Sequence, residues 1–182
     1  MACSVQHCAP RVALLLLLST ACARASPLQV MAIVDGDTVH LRDHGQRLTV
    51  RLACIDAPET SQTPWGPAAR RQLQRLLPLG QSVTVRGMAR DRYGREIAEL
   101  FSAGQNVNQA LVASGQAFVY WAYIKACDRQ TYGRLETQAR LHSLGIWSMS
   151  GGITRPWLHR HSQRKSASPL LPVVPAPVPA SR

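Results

Sequence analysis

Four acidic side chains stand where they could act together. Asp35 and Asp37 flank Gly36, and Asp56 and Glu59 flank Ala57-Pro58. Carboxylates brought close repel one another, so their convergence demands a compensating cation. A site built only of oxygen donors suits a hard ion such as Ca²⁺ or Mg²⁺. No His/Cys grouping has the spacing of a zinc site. Two arginines add to the pattern: Arg51, ahead of the second acidic pair, and Arg95, after Tyr93-Gly94. A cation beside guanidinium groups is the equipment for cleaving a phosphodiester. Both stabilise charge on a five-coordinate phosphorus, while a carboxylate orients or deprotonates the attacking water. Each part also has a plain reading, since Asp-Gly-Asp is a common turn and a single arginine commonly serves solubility.

The elements that must position these groups follow from periodicity. Leu28–Val34 and Thr38–Arg42 are apolar-rich segments joined by Asp35-Gly36-Asp37, and Asp43-His44-Gly45-Gln46 is a turn signal before an alternating Arg47–Ile55. This is the grammar of consecutive hairpins. In the third predicted strand Leu48, Val50, Leu52 and Cys54 share one face, and Thr49, Arg51 and Ala53 the other. Pro58 ends it, because proline cannot continue a central strand. Pro67–Leu77 is a predicted helix with its proline in the first turn. Ser82–Met88 and Glu96–Phe101 are predicted strands around a turn at Arg90–Gly94. Asn106–Ser114 is a short predicted helix stopped by Gly115, and Ala117–Tyr123 is strand-like. Asp128–Leu144 is a predicted long helix with Asp128 as N-cap and Gly145 as stop. The order points to the α+β class: a five-stranded OB-type β-barrel packed with three α-helices.

Composition narrows the partners. The chain has 182 residues and a formal net charge of +11, with 46% hydrophobic residues. That is one domain with attachments, and the recurrent apolar runs exclude a wholly disordered chain. Beyond the N-terminus no segment approaches the ~20 apolar residues of a membrane span, so no stable span is expected. Fifteen Lys and Arg against all ten acids fall between Leu28 and Leu158, and arginine dominates. Its fork matches phosphate oxygens bidentately, which favours a polyanionic partner.

Several blocks together resemble one known family. Val34-Asp35-Gly36-Asp37-Thr38-Val39 is followed by Val50-Arg51-Leu52 with Ile55-Asp56-Ala57-Pro58-Glu59, and then by Asp91-Arg92-Tyr93-Gly94-Arg95. Asn108, Ala110, Leu111, Val112 and Gly115, then Glu136, Ala139 and Gly145-Ile146-Trp147, continue the series. In this order they are similar to the staphylococcal-nuclease (thermonuclease) family, over about Val30 to Trp147. The resemblance implies an OB-type barrel, Ca²⁺ as cofactor, and hydrolysis of DNA and/or RNA to 3′-phosphate ends by a monomer. It implies Asp37, Asp56 and the Ala57 backbone carbonyl as metal ligands, with Asp35 in an outer position. Glu59 matches the general base or water-orienting carboxylate, and Arg51 and Arg95 match the phosphate-binding catalytic arginines. Arg92, Tyr93, Trp121 and Tyr123 fall where substrate is contacted. Trp121 departs from the family's tyrosine but keeps a stacking face, and Thr60–Gly66 is shorter than the basic loop of the best-known member. The competing reading is a non-catalytic OB-fold protein that binds nucleic acid. That reading explains the charge and barrel but not the five matched acidic and basic side chains together.

The ends read separately. Residues 1–25 carry Arg11, an apolar stretch from Val12 to Leu18 and overlapping Ala-x-Ala patterns, the form of a secretory signal. The expected location is therefore secreted or periplasmic, with a lipoprotein through Cys22 as the alternative. Residues 28–158 form the expected nuclease domain. Residues 159–182, basic and then proline-rich, are expected as a tail without structure. Cleavage after Ala25 leaves two cysteines, Cys54 and Cys127. In the family fold the corresponding strand end lies near the start of the long helix, so a Cys54–Cys127 disulfide is expected. The other possibility is two separate thiols.

Overall fold

The computed structural model describes residues 27–166. The expected signal segment, Cys22 and the proline-rich stretch from Pro169 lie outside them. Three strands open the fold as a meander: β1 (Leu28–Ile33), β2 (Thr38–Asp43) and β3 (Gln46–Leu52). Two long strands follow helix α1 (Trp65–Leu76): β5 (Ser82–Arg90) and β6 (Glu96–Ser102). The order β3-β2-β1-β5-β6 closes on itself through a parallel β3–β6 pairing, Val50 beside Glu96 and Leu52 beside Ala98. The barrel is therefore five-stranded and mixed, of the expected OB-type α+β class, with no free edge between its first and last strands. Val30, Val39, Leu41, Val50, Leu52, Ala98 and Leu100 fill it from the inward positions of those strands.

The third strand is shorter than its alternation predicts. It stops at Leu52, and the chain turns at Ala53-Cys54 into the two-residue strand β4 (Ile55–Asp56). Cys54 takes a left-handed φ of 65°, so it does not continue the inward row of Val50 and Leu52. The turn lets β4 pair away from the barrel, antiparallel to β8 (Phe118–Val119), which sets Asp56 opposite Phe118. Strand character in the expected Ala117–Tyr123 segment is confined to that pair. Trp121–Ala126 winds into a 3-10 helix once Tyr120 N–H has bonded the Cys54 carbonyl at 2.8 Å. This path delivers Cys127 to Cys54, and the two are joined by a disulfide with their Cα atoms 6.4 Å apart.

Helices pack against one end of the barrel. After the two-residue strand β7 (Gln105–Asn106), helix α2 (Val107–Ala113) is capped by the Asn106 side chain, which accepts the Gln109 N–H. Asn108 is wholly buried and acts as a clamp. Its Oδ1 accepts the Leu100 N–H at 3.1 Å, and its Nδ2 donates to the carbonyls of Ala53 at 3.0 Å and Ala98 at 3.2 Å. The side chain thus ties α2 to the closing strand and to the turn after β3. Helix α3 (Arg129–Leu141) begins on Asp128, whose carboxylate accepts the Thr131 N–H, and ends earlier than the expected Leu144. Its Glu136 accepts the Val119 N–H at 2.9 Å and the Trp121 indole N–H at 3.0 Å, fixing β8 and the start of the 3-10 helix.

One boundary expectation is corrected. The chain does not become a structureless tail at His159, because α4 (Pro156–Ser166) runs through that point. Pro156 occupies the first helical position, where its missing N–H costs nothing. Breaking proline density begins only at Pro169. Among the described residues no helix is long and apolar enough to cross a membrane.

Reduction, or the double change Cys54→Ser with Cys127→Ser, should destabilise the fold. The bridge closes 73 residues, which in the chain-entropy estimate contributes about 4 kcal/mol. Urea unfolding with and without reductant measures it, and a midpoint unmoved by reductant would show that the covalent link does not constrain the unfolded chain.

Candidate active site

Two loops, strands β3 and β4 and helix α4 build the site. The Asp35-Gly36-Asp37 loop joins β1 to β2, and Asp35 Oδ1 accepts the Asp37 N–H at 3.0 Å, bending the loop into an Asx-type turn. Gly36 is required there for space. A Cβ at Gly36 would lie 2.7 Å from the Ala57 Cβ and 2.8 Å from the Ala69 Cβ, so any side chain would force the loop off α1 and off the Ala57 segment. Gly66 does the same for the other loop, because a Cβ there would stand 2.0 Å from the Glu59 carbonyl oxygen. The two glycines therefore allow both acidic segments to press against α1.

The result is a buried acidic pair around one guanidinium. Asp37 is 2% exposed and Asp56 is 0% exposed. Arg51, from β3, donates from Nη1 to Asp37 Oδ1 and from Nη2 to Asp56 Oδ1. The Ala57 N–H donates to Asp37 Oδ2 at 2.6 Å. Burial pushes the Asp37 carboxyl up against the pull of Arg51, with Asp35 and Asp56 adding to the rise and the Ala57 N–H opposing it. The Arg51 guanidinium is held above its ordinary range. Burial alone would lower it, but Asp37 and Asp56 more than offset that.

A second arginine completes the cluster. Arg160, from α4, donates to Asp56 at 3.1 Å (Nη1 to Oδ1) and 2.8 Å (Nη2 to Oδ2) and, from Nη1, also to Glu59 Oε1. Its pKa is raised, because hydrogen bonds to both carboxylates outweigh its partial burial. Glu59 itself is held at the backbone, where its N–H donates to Gln62 Oε1 at 3.0 Å. The Gln62 Nε2 in turn donates to the Thr154 carbonyl at 2.8 Å, just ahead of α4.

The other expected residues lie apart from this cluster. Arg95 donates from Nε to Asp91 Oδ2 at 2.8 Å and from its backbone N–H to Asp91 Oδ1 at 2.9 Å, and its guanidinium sits 5.6 Å from the Tyr93 ring centroid. Arg92 lies on the same ring at 4.9 Å. Tyr93 and Arg95 border a groove of about 380 Å³ whose walls also include Arg47, Thr49 and Arg90. Thr49 and Arg51 face the same side of β3, one strand repeat of ~7 Å apart. A larger cavity of about 640 Å³ opens at the end of α3 beside Arg140, Trp147 and Met149, and none of the expected site residues lines it. Trp121 and Tyr123 are exposed on the 3-10 helix. Trp121 is covered on one face by the Arg129 guanidinium, and Tyr123 packs edge-on against Tyr120 at 4.8 Å.

Sequence reasoning missed Arg160, Tyr120 and Trp157. Tyr120 and Trp157 stack with centroids 5.0 Å apart and planes 7° from parallel. Arg160 is 104 positions from Asp56 and had no local signal beyond a first-turn proline followed by Trp157.

No group of three or more His, Cys, Asp or Glu among the described residues is gathered to hold a metal ion. The donor chemistry nonetheless fits a hard cation. Two buried carboxylates face each other with only oxygen donors, and every charge that now compensates them is a guanidinium. Asp37 and Asp56 would hold such an ion.

The chain is similar to several known proteins. The family model described as staphylococcal nuclease homologue matches residues 49–149. A micrococcal nuclease of Shigella flexneri is 36% identical over 149 residues, covering 77% of this chain and 83% of that one. An uncharacterized endonuclease of Escherichia coli is 35% identical over 134 residues, covering 73% and 84%. Protein ParB of Escherichia coli is 36% identical over 141 residues, covering 72% and 77%.

Arg51→Met should leave two buried carboxylates short of their shared partner and destabilise the fold by about 3–5 kcal/mol. Adding Asp37→Asn should restore part of the loss, since one stranded charge is then gone. Urea unfolding of the single and double variants checks both. Wild-type stability in Arg51→Met would show that the pair does not depend on Arg51.

Proposed function

The chain belongs to the staphylococcal nuclease homologue family, and from that premise we propose that it is a metal-dependent phosphodiester hydrolase, an endonuclease acting on DNA and/or RNA. The observation that carries this reading is the buried Asp37–Arg51–Asp56 cluster with Glu59 joined to it at its half-exposed rim. A non-catalytic binder has no need to bury two carboxylates around a phosphate-type guanidinium, a costly arrangement that chemistry at the site accounts for. The proposed cofactor is Ca²⁺, held by Asp37, Asp56 and the Ala57 carbonyl with Asp35 outside. When bound it supplies positive charge to the phosphate as bond order rises at phosphorus. Glu59, one-third exposed, accepts a proton from the attacking water or orients it. Arg51 and Arg95 present forks to phosphate oxygens, one from the cluster and one from the adjoining groove. Tyr93, Trp121 and Tyr123 offer exposed rings on which bases can stack, and Arg92 adds charge beside them. The proposed product carries a 3′-phosphate.

We further propose that the protein works as a monomer outside the cytoplasm, released by the N-terminal signal. Its Cys54–Cys127 disulfide suits an oxidising compartment.

Plasmid DNA and a folded RNA incubated with millimolar Ca²⁺, and with chelator, test the activity. Cleavage with Ca²⁺ and none with chelator is the expected result, with 5′ ends that a kinase labels directly and 3′ ends that a terminal transferase extends only after phosphatase treatment. Binding without cutting would favour the OB-fold binder. Glu59→Gln should lower turnover by roughly 100- to 10,000-fold, the range for a lost general base, with an unchanged melt. Arg95→Ala should lower it too, by roughly 100-fold or more. Asp37→Asn and Asp56→Asn should each raise the Ca²⁺ concentration needed for half activity. An unmoved requirement in both would remove them from the metal site.

A further inference from the structure

Helix α4 lies beyond the residues matched by the family model, yet its contacts converge on the site. Gln62 reaches the Thr154 carbonyl at its entry, and Ser61 Oγ and His159 Nε2 are 2.9 Å apart. Trp157 stacks on Tyr120 and meets Phe118 edge-on at 6.1 Å. Phe118 is the cross-strand neighbour of Asp56. These anchors aim Arg160 at Asp56 and Glu59 together, with the guanidinium side chain still about one-third exposed.

Resting on the hydrolase reading, we infer that Arg160 is a positioning residue of the active site, supplied by α4. A glutamate at a half-open rim samples several rotamers, and a base must be held close to one geometry to act on a water. Arg160 is the side chain that holds the Glu59 carboxylate among the described residues. Its planar fork spans two carboxylates at once, which an ammonium cannot do in the same geometry. The arrangement makes Glu59 dependent on Asp56: the guanidinium bound bidentately to one fixes the other. The same positive charge opposes a divalent cation on Asp56. Arg160 therefore aids turnover while weakening cation binding, two effects of opposite sign from one side chain.

The full-length protein is compared as wild type, Arg160→Ala, Arg160→Lys and Trp157→Ala. Three quantities are read: kcat and KM on DNA at saturating Ca²⁺, Ca²⁺ affinity by calorimetry without substrate, and the thermal melt in chelator. In Arg160→Ala, kcat should fall about 100-fold with little change in KM, the scale for a displaced reacting group. Ca²⁺ should bind it roughly tenfold more tightly, because one positive charge has left the neighbourhood of a divalent ion. Arg160→Lys should return Ca²⁺ affinity to the wild-type value but restore kcat only in part. Wild-type kcat in Arg160→Ala would overturn the inference. So would a joint loss of kcat and Ca²⁺ affinity in both Arg160→Ala and Trp157→Ala with lowered melts, since that pattern is undocking of a helix. A wild-type protein that cuts neither DNA nor RNA would overturn the hydrolase reading and Arg160's part in it. A cutting wild type with an unaffected Arg160→Ala overturns Arg160's part alone.

Discussion

Two carboxylates with almost no access to water, held around the Arg51 fork, set the terms for the rest of this molecule. Burying one ionised carboxylate is expensive, and burying two side by side is tolerated only where positive charge and N–H donors meet them. Arg51 supplies the charge and the Ala57 N–H supplies a donor. Each of these must arrive from a different part of the chain. β3 brings Arg51, the β1–β2 loop brings Asp37, and β4 brings Asp56.

That requirement explains features which are otherwise odd. A barrel strand that continued to Ile55 would carry Asp56 past the Asp37 loop. The chain instead turns at Cys54 and spends its next two residues on a separate ladder with β8. The turn is then held from several directions. Asn108 donates to the Ala53 carbonyl, Tyr120 donates to the Cys54 carbonyl, and Cys127 is bonded to the Cys54 sulfur. Cross-links so concentrated on one irregular turn keep the Asp56 carboxylate in register with Arg51, a placement that packing of small alanines alone would leave loose.

The positive groups divide by environment. Arg51 and Arg160 are tied to carboxylates in or beside the buried pair, whereas Arg47, Arg90 and Arg95 border an open groove one strand repeat away. The first set compensates buried charge; in the second, Arg95 is paired with Asp91 and Arg90 stands 3.7 Å from Glu96, pairs at the surface of the groove where a polyanion can compete. The excess of arginine over acid still leaves a positive field that attracts phosphates.

The barrel was legible from residue pattern. Alternation located β1, β2, β5 and β6, Asp128 marked the α3 N-cap, and the spacing of Asp35, Asp37, Asp56 and Glu59 with Arg51 identified the acidic end. These signals are local, because strand period and cap chemistry act within a few residues. Cys54 and Asp56 look like the continuation of a strand in sequence, since nothing in a period of two marks where a ladder changes partners. The change was set by pairing with Phe118, more than sixty positions away. Arg95 reads as a site residue beside Arg51, but its side chain follows the nearer carboxylate of Asp91. Arg160 lies in a basic run that reads as solvated tail. Only packing of Trp157 on Tyr120 and Phe118 turns that run into a helix aimed at Asp56 and Glu59. Local chemistry is written in neighbouring residues. The company a side chain keeps across a hundred positions is decided by which apolar faces bury one another, and that is a property of the folded chain.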